Sequence, residues 1–158
     1  MLNARLQRFA EEWGLLCEEQ AGFRAGRSTI DQILTLQVLI DQQLHDKVKR
    51  TASRRLYVAF VDFAKAYDYV PRELLLHKLA RAGVQGRMHT MLRSMYTSVK
   101  AKVRGAEGLS DAFVSELGLR QGCILSPLLF AHYIADFPKW LRGEGDCEGQ
   151  PDGGDPRR

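Results

Sequence analysis

Apolar residues at Leu2, Leu6, Phe9, Trp13 and Leu16 recur every three or four positions, the spacing of an amphipathic helix over residues 2–16. Gly22 and Gly26 break the pattern. A second stripe, Ile33, Leu36, Leu39 and Ile40, follows Ser28–Thr29. Thr29 and Gln32 there stand at capping-box spacing, so the pattern predicts a helix that opens at Ser28–Thr29 and fades near His45. At Leu56–Phe63 (LYVAFVDF) the pattern changes to aromatic and β-branched residues, apolar except at Asp62. That predicts a strand covered on both faces. Pro71 suits the first turn of a helix running to about Arg81, and Gly83 and Gly86 separate it from another over residues 87–97. Residues 99–103 and 112–117 read as two strands of a hairpin joined by a Gly-containing loop. Ser126–Pro127, with Leu125 and Phe130 at staple spacing, opens a last helix that bends or stops around Pro138. Helices and strands are interleaved, which places the chain in the α/β or α+β class.

Length and composition narrow this to one folded unit. The chain has 158 residues, 45% hydrophobic and 27% charged, enough for a single core and too apolar for a disordered chain. Residues 143–158 depart from the rest: they hold five glycines, two prolines and a net charge of −3, and no apolar periodicity. They are expected to be a disordered tail behind a domain of residues 1–142. Without the tail the body carries +7 against a chain total of +4. A basic body favours a polyanionic partner without requiring one. The longest apolar run, Leu56–Val61, is six residues, far short of a membrane span. Met1–Glu12 lacks the apolar stretch of a signal peptide. Cys17, Cys123 and Cys147 are widely spaced and odd in number, which excludes a disulfide framework and suits a reducing compartment. An intracellular protein of the nucleus or cytoplasm is expected.

Three clusters could carry chemistry. Asp62 interrupts an apolar strand, and a buried carboxylate must be hydrogen-bonded, paired or metal-bound. A salt bridge to a neighbouring Lys or Arg is one outcome. The start of a Mg²⁺ site, with the Phe63 backbone carbonyl as a second hard oxygen, is the other. Asp68 reads as a turn or helix-entry acid and Tyr67 as a core aromatic. In GLRQGCILSP, Gly118–Pro127, glycines, Arg120 and Gln121 precede a capped helix, so backbone N–H groups could face a nucleotide. A tight strand-to-helix connection is the plainer alternative. In QAGFRAGRST, Gln20–Thr29, Arg24 and Arg27 could clamp phosphates or be solvated turn residues. A separate basic run, Lys47, Lys49, Arg50, Arg54 and Arg55, reads equally as a solvated loop or a nucleic-acid backbone contact. The four histidines share no metal-ligand spacing.

Taken in order, QAGFRAGRSTIDQI, FVDFAKAYDYV and GLRQGCILSPLLFAHYIADF resemble the reverse transcriptase domain of non-long-terminal-repeat (LINE-type) retrotransposons, from about Leu2 to Leu141. The resemblance implies a partial right-hand polymerase fold of α+β class, comprising the fingers and the first part of the palm. It implies an RNA template, a DNA primer and deoxynucleoside triphosphates as partners, and Mg²⁺, with Mn²⁺ as a substitute, in the complete enzyme. Asp62 matches the first metal-binding aspartate, with the Phe63 carbonyl beside it. Tyr67 matches the aromatic under the incoming sugar, and Gln121 and Gly122 the residues that meet nucleotide and template. Arg24 and Arg27 match finger residues near the triphosphate. The family's motif with paired aspartates has no counterpart here, because the chain contains no Asp-Asp pair. A two-metal site would then be half-built, and the chain is expected to be an inactive segment of a polymerase. The alternative expectation is a non-catalytic remnant that binds nucleic acid through its basic surface. Unpaired palm strands would leave an edge through which copies oligomerise or aggregate.

Overall fold

The computed structural model describes residues 1–45, 56–106 and 108–144. The basic run Lys47–Arg55 and the tail beyond Glu144 lie outside them. Among the described residues six helices and four short strands follow one another: α1 (Leu2–Glu12), α2 (Thr29–His45), α3 (Arg72–Arg81), α4 (Gly86–Tyr96), β1 (Val99–Ala101), β2 (Arg104–Gly105), β3 (Gly108–Leu109), β4 (Phe113–Ser115), α5 (Ser126–Tyr133) and α6 (Phe137–Leu141). This is a mixed fold of helices with a small antiparallel sheet component, and no described helix is long and apolar enough to cross a membrane.

The core is helical. Leu75 and Leu79 of α3 are buried with Leu92 of α4 and Leu129 of α5, and Leu6 and Ala10 of α1 join them. Helix α3 packs on both α4 and α5. Its end is defined locally. Gly83 sits at φ +90°, where the chain turns left-handed. The Gly83 N–H donates to the Ala80 carbonyl at 3.1 Å and the Val84 N–H to the Leu79 carbonyl at 2.9 Å. That is a Schellman cap, closed by the buried pair Leu79 and Val84.

Helix α2 forms where its stripe predicts it, but its cap is one residue earlier than Thr29. The Ser28 N–H donates to the Asp31 carboxylate at 2.9 Å, and the Asp31 N–H donates back to the Ser28 hydroxyl at 3.2 Å. This is a reciprocal capping box in which Asp31, not Gln32, supplies the acid. The stripe itself is mostly uncovered. Leu36 and Ile40 are half-buried, whereas Ile33 and Leu39 are exposed.

The hairpin is also present, and it carries a bulge. Val99 pairs with Ser115 and Ala101 with Phe113, while nearer the tip Arg104 pairs with Leu109. Two residues of the outgoing arm therefore face three of the returning arm. Ser110 repairs the interruption, because its hydroxyl accepts the Val103 N–H at 3.0 Å while its own N–H donates to the Val103 carbonyl at 2.9 Å.

The expected strand over Leu56–Phe63 is absent. These residues have no regular structure, and they are exposed, Tyr57 at 82% and Phe60 at 86%. A strand exists only through its ladder partners, and among the described residues all paired strands belong to the hairpin of residues 99–115. Asp62 is therefore exposed rather than buried, and the desolvation argument for a compensating partner does not apply to it.

His132 of α5 introduces a pH dependence. Burial lowers its pKa, with the Leu15 carbonyl acting against that shift. Its Nδ1 lies 3.3 Å from the Leu15 carbonyl, and its Nε2 is buried with no hydrogen-bond partner. A ring held neutral in the fold but free to protonate when unfolded costs stability as pH falls below about 6.5, the unfolded value. The loss levels off below the folded pKa. Urea midpoints should thus decline from about pH 6.5 downward, and His132→Leu should flatten that part of the profile.

Candidate functional site

Two loops, 53 residues apart in sequence at their closest side-chain bond, meet on the core surface. The first, Tyr67–Val70, leads into α3; the second, Gly118–Gln121, leads towards α5. The Leu119 N–H donates to the Tyr67 carbonyl at 2.7 Å and the Gly118 N–H to the Val70 carbonyl at 3.0 Å. Across them the Gln121 carboxamide donates to an Asp68 carboxylate oxygen at 2.9 Å. Glycine is required at 118 on two grounds. Its φ is +84°, and a Cβ there would lie 2.7 Å from the Asp68 carbonyl oxygen. The two motifs are therefore in backbone contact.

Arg72, at the start of α3, fastens the second loop from beneath. It is 8% exposed. Its Nε donates to the Gly118 carbonyl at 2.7 Å, and Nη2 donates to the Leu117 carbonyl at 2.7 Å and the Ser115 hydroxyl at 3.1 Å. Nη1 donates to the Ser115 carbonyl, and the guanidinium lies 5.7 Å from the Tyr96 ring centre. Burial lowers its pKa, yet arginine remains charged at any ordinary pH. Ser126 holds the far end of the loop: its buried hydroxyl donates to the Arg120 carbonyl at 2.7 Å. An open cleft of about 560 Å³ runs beside the junction, with Asp68, Arg72, Glu116 and Arg120 among its walls.

Aromatic packing connects the Asp62 segment to the same region. Tyr67 lies against Phe130 of α5 with ring centres 5.1 Å apart, and Phe63 packs edge-on to Phe137 of α6 at 5.6 Å. The backbone beside Asp62 is thereby anchored, while the Asp62 carboxylate has no hydrogen-bond or ion-pair partner among the described residues. Gln121 and Gly122 are exposed, and Tyr67 is half-buried.

Arg24 and Arg27 are engaged within their own region. Arg24 makes a bidentate pair with Glu11, at 3.0 and 2.6 Å, and donates to the Cys17 carbonyl at 2.8 Å. Its hydrogen bonds hold the Glu11 carboxyl below the usual range. Arg27 donates to both the backbone carbonyl and the carboxylate of Glu18. Neither guanidinium is bonded to the Tyr67–Gln121 junction in the described residues. Lys47, Lys49, Arg50, Arg54 and Arg55 lie outside those residues.

Asp62 and the Phe63 carbonyl offer one carboxylate and one carbonyl oxygen, and Mg²⁺ ordinarily fills the rest of its octahedron with water, substrate phosphates and a further carboxylate. Among the described residues no three His, Cys, Asp or Glu side chains come together as a ligand set. These residues could supply part of a divalent-ion site and would need at least one further carboxylate to complete it. Arg72 leaves no local signal in the sequence, and Asp68 reads there as a turn or helix-entry acid. The latter sits in the same motif as Asp62, which is its one clue.

Comparison with known proteins identifies the family. Residues 1–148 match the family described as reverse transcriptase (RNA-dependent DNA polymerase). The chain is 30% identical over 138 residues to a Drosophila melanogaster protein described as probable RNA-directed DNA polymerase from transposon BS, covering 87% of this chain and 14% of that protein. It is 27% identical over 142 residues to its counterpart from transposon X-element of the same fly, covering 88% and 14%. It is 29% identical over 119 residues to the retrovirus-related Pol polyprotein from type-1 retrotransposable element R2 of Nasonia vitripennis, covering 75% and 11%. The chain thus spans at most 14% of the length of these relatives. With two of its three motifs joined in one junction and the match running over nearly all of its length, the chain belongs to the reverse transcriptase (RNA-dependent DNA polymerase) family.

Proposed function

We propose that residues 1–142 are the fingers and first part of the palm of a non-LTR retrotransposon polymerase, whose reaction adds deoxynucleotides to a DNA primer along an RNA template. The observation that carries this reading is the junction itself. The loop after Asp62 and the loop bearing Gln121 and Gly122 are joined by two backbone hydrogen bonds and one side-chain bond. In this reading Tyr67, Gln121 and Gly122 form one surface for nucleotide and template. Asp62, exposed and unpaired among the described residues, contributes one carboxylate to a metal site whose other ligands the described residues do not provide. Arg24 and Arg27 would have to exchange their glutamates for phosphate oxygens to reach a triphosphate.

Photocrosslinking tests the reading. A template–primer carrying a photoreactive base at the primer terminus should label peptides within residues 62–70 and 118–123 of the 158-residue chain. Labelling confined to other regions would overturn it. Primer extension by the same chain with Mg²⁺ or Mn²⁺ is expected to yield no product. Extension by the native chain that Asp62→Ala lacks would show a complete site and refute the half-built one.

Binding should be directed to the nucleic-acid backbone, since the body is strongly basic. Log affinity for RNA is then expected to fall linearly with log salt. Changing Lys47, Lys49, Arg50, Arg54 and Arg55 to Ser should make the slope shallower; an unchanged slope would remove that run from the interface. The exposed apolar stretch Leu56–Phe63 also favours self-association, through apolar surface rather than the sheet edge expected from the sequence, which sedimentation at rising concentration would read directly.

A further inference from the structure

We infer that Asp68 is a positioning residue for Gln121, turning its carboxamide so that the carbonyl oxygen faces outward to accept a hydrogen bond from a nucleotide. The inference rests on the reading of this junction as a nucleic-acid contact and adds a direction and a chemistry to it.

The argument begins with what a carboxylate can do. An ionised Asp has no proton to donate, so only the NH₂ end of a carboxamide can be turned towards it. Gln121 Nε2 lies 2.9 Å from Asp68 Oδ1. The amide orientation, which is ordinarily ambiguous between its two ends, is therefore decided by chemistry. Gln121 is exposed, and its Oε1 has no hydrogen-bond partner among the described residues. The outward end is thus an acceptor.

Asp68 is well placed to hold it. Its own N–H donates to the Lys65 carbonyl at 2.8 Å, closing a turn. Its neighbours Tyr67 and Val70 accept backbone hydrogen bonds from Leu119 and Gly118. Both partners in the side-chain bond therefore stand on backbones already joined, so little freedom remains between them. Without Asp68 the long Gln121 side chain would sample several rotamers and present its NH₂ and carbonyl ends indifferently. The group that meets this acceptor must carry a proton: a sugar hydroxyl (the ribose 2′ or a terminal 3′) or a base N–H, which share that chemistry.

The test uses the 158-residue chain with ¹⁵N labelling and a fluorescent template–primer. In the native chain one proton of the Gln121 side-chain NH₂ should be shifted downfield by its bond to the carboxylate. Asp68→Ala should abolish that shift with the backbone spectrum otherwise retained. Asp68→Asn, which keeps an acceptor oxygen at the same place, should restore it in part. Template–primer affinity should fall about fivefold in Asp68→Ala, a loss of one well-placed hydrogen bond, and recover in Asp68→Asn. If the fall disappears when the RNA template is replaced by DNA, the donor is the 2′-hydroxyl; if it persists there but disappears with a 3′-deoxy primer terminus, it is the 3′-hydroxyl; if it persists in both, it is a base. A native Gln121 signal that Asp68→Ala leaves unmoved would overturn the positioning role. A shift that responds while affinity does not would overturn the recognition role. Crosslinks elsewhere, with the signal still responsive, would show instead that the reading of the junction is what failed.

Discussion

Arg72→Leu is expected to destabilise the chain by about 2–4 kcal/mol, the scale of breaking a buried hydrogen-bond network and leaving its acceptors unsatisfied. The side chain is almost fully buried, and its donors reach the carbonyls of Gly118, Leu117 and Ser115 as well as the Ser115 hydroxyl. Leucine would fill much of the space but leave those oxygens without their donors, each at a cost of about 1–3 kcal/mol if no water reaches it. Part of that cost is recovered where the segment can open to solvent, which is why the sum is not the expectation. Lysine should rescue little. A single ammonium on a flexible stem cannot span three carbonyls that a planar guanidinium reaches from several nitrogens. Urea unfolding of the native chain, Arg72→Leu and Arg72→Lys would measure this directly. A loss below about 1 kcal/mol for leucine would mean that water substitutes for the guanidinium.

Gly118→Ala is the second large effect, expected at about 2–4 kcal/mol from two costs that add. A left-handed φ of +84° disfavours any residue with a Cβ, and that Cβ would meet the Asp68 carbonyl oxygen at 2.7 Å and its Cα at 2.9 Å. The obstacle is backbone, so no rotamer change relieves it. The loops must separate, which breaks the Gly118–Val70 and Leu119–Tyr67 bonds and pulls Gln121 away from Asp68. Alanine at 118 should consequently lower stability and, in the same variant, remove the Gln121 amide shift. By contrast Gly83→Ala meets only the tip of Phe9 at 3.5 Å, so its cost should be confined to the backbone conformation. Thermal unfolding of both variants separates a close backbone approach from a simple cap.

The helices were legible because their determinants are local. Apolar spacing, Pro71 before α3 and the glycines after it act within a turn or two of the residues they shape. The hairpin arms and the helix after Ser126–Pro127 followed for the same reason, and the order of three motifs carried the family. Where a local signal had a neighbour able to do the same work, the reading slipped: Ser28 caps α2 through Asp31, one residue from the expected pair.

What only the tertiary structure decided depends on groups distant in sequence. Leu56–Phe63 has the composition of a buried strand, but a ladder needs a second strand, and composition cannot supply one. Asp62 lost its expected burial with that strand. Arg24 could have faced a phosphate or the protein; Glu11, thirteen residues earlier, took it. Arg72 has no local signal, because the carbonyls that converge on it lie more than forty residues away. Asp68 acquired its partner in the same way. Sequence alone determined which segments coil and which family they serve, because those properties are written in neighbouring residues. Which charges are spent inside the protein and which remain for a ligand was decided by the fold, since a charge is spent only when distant groups reach it.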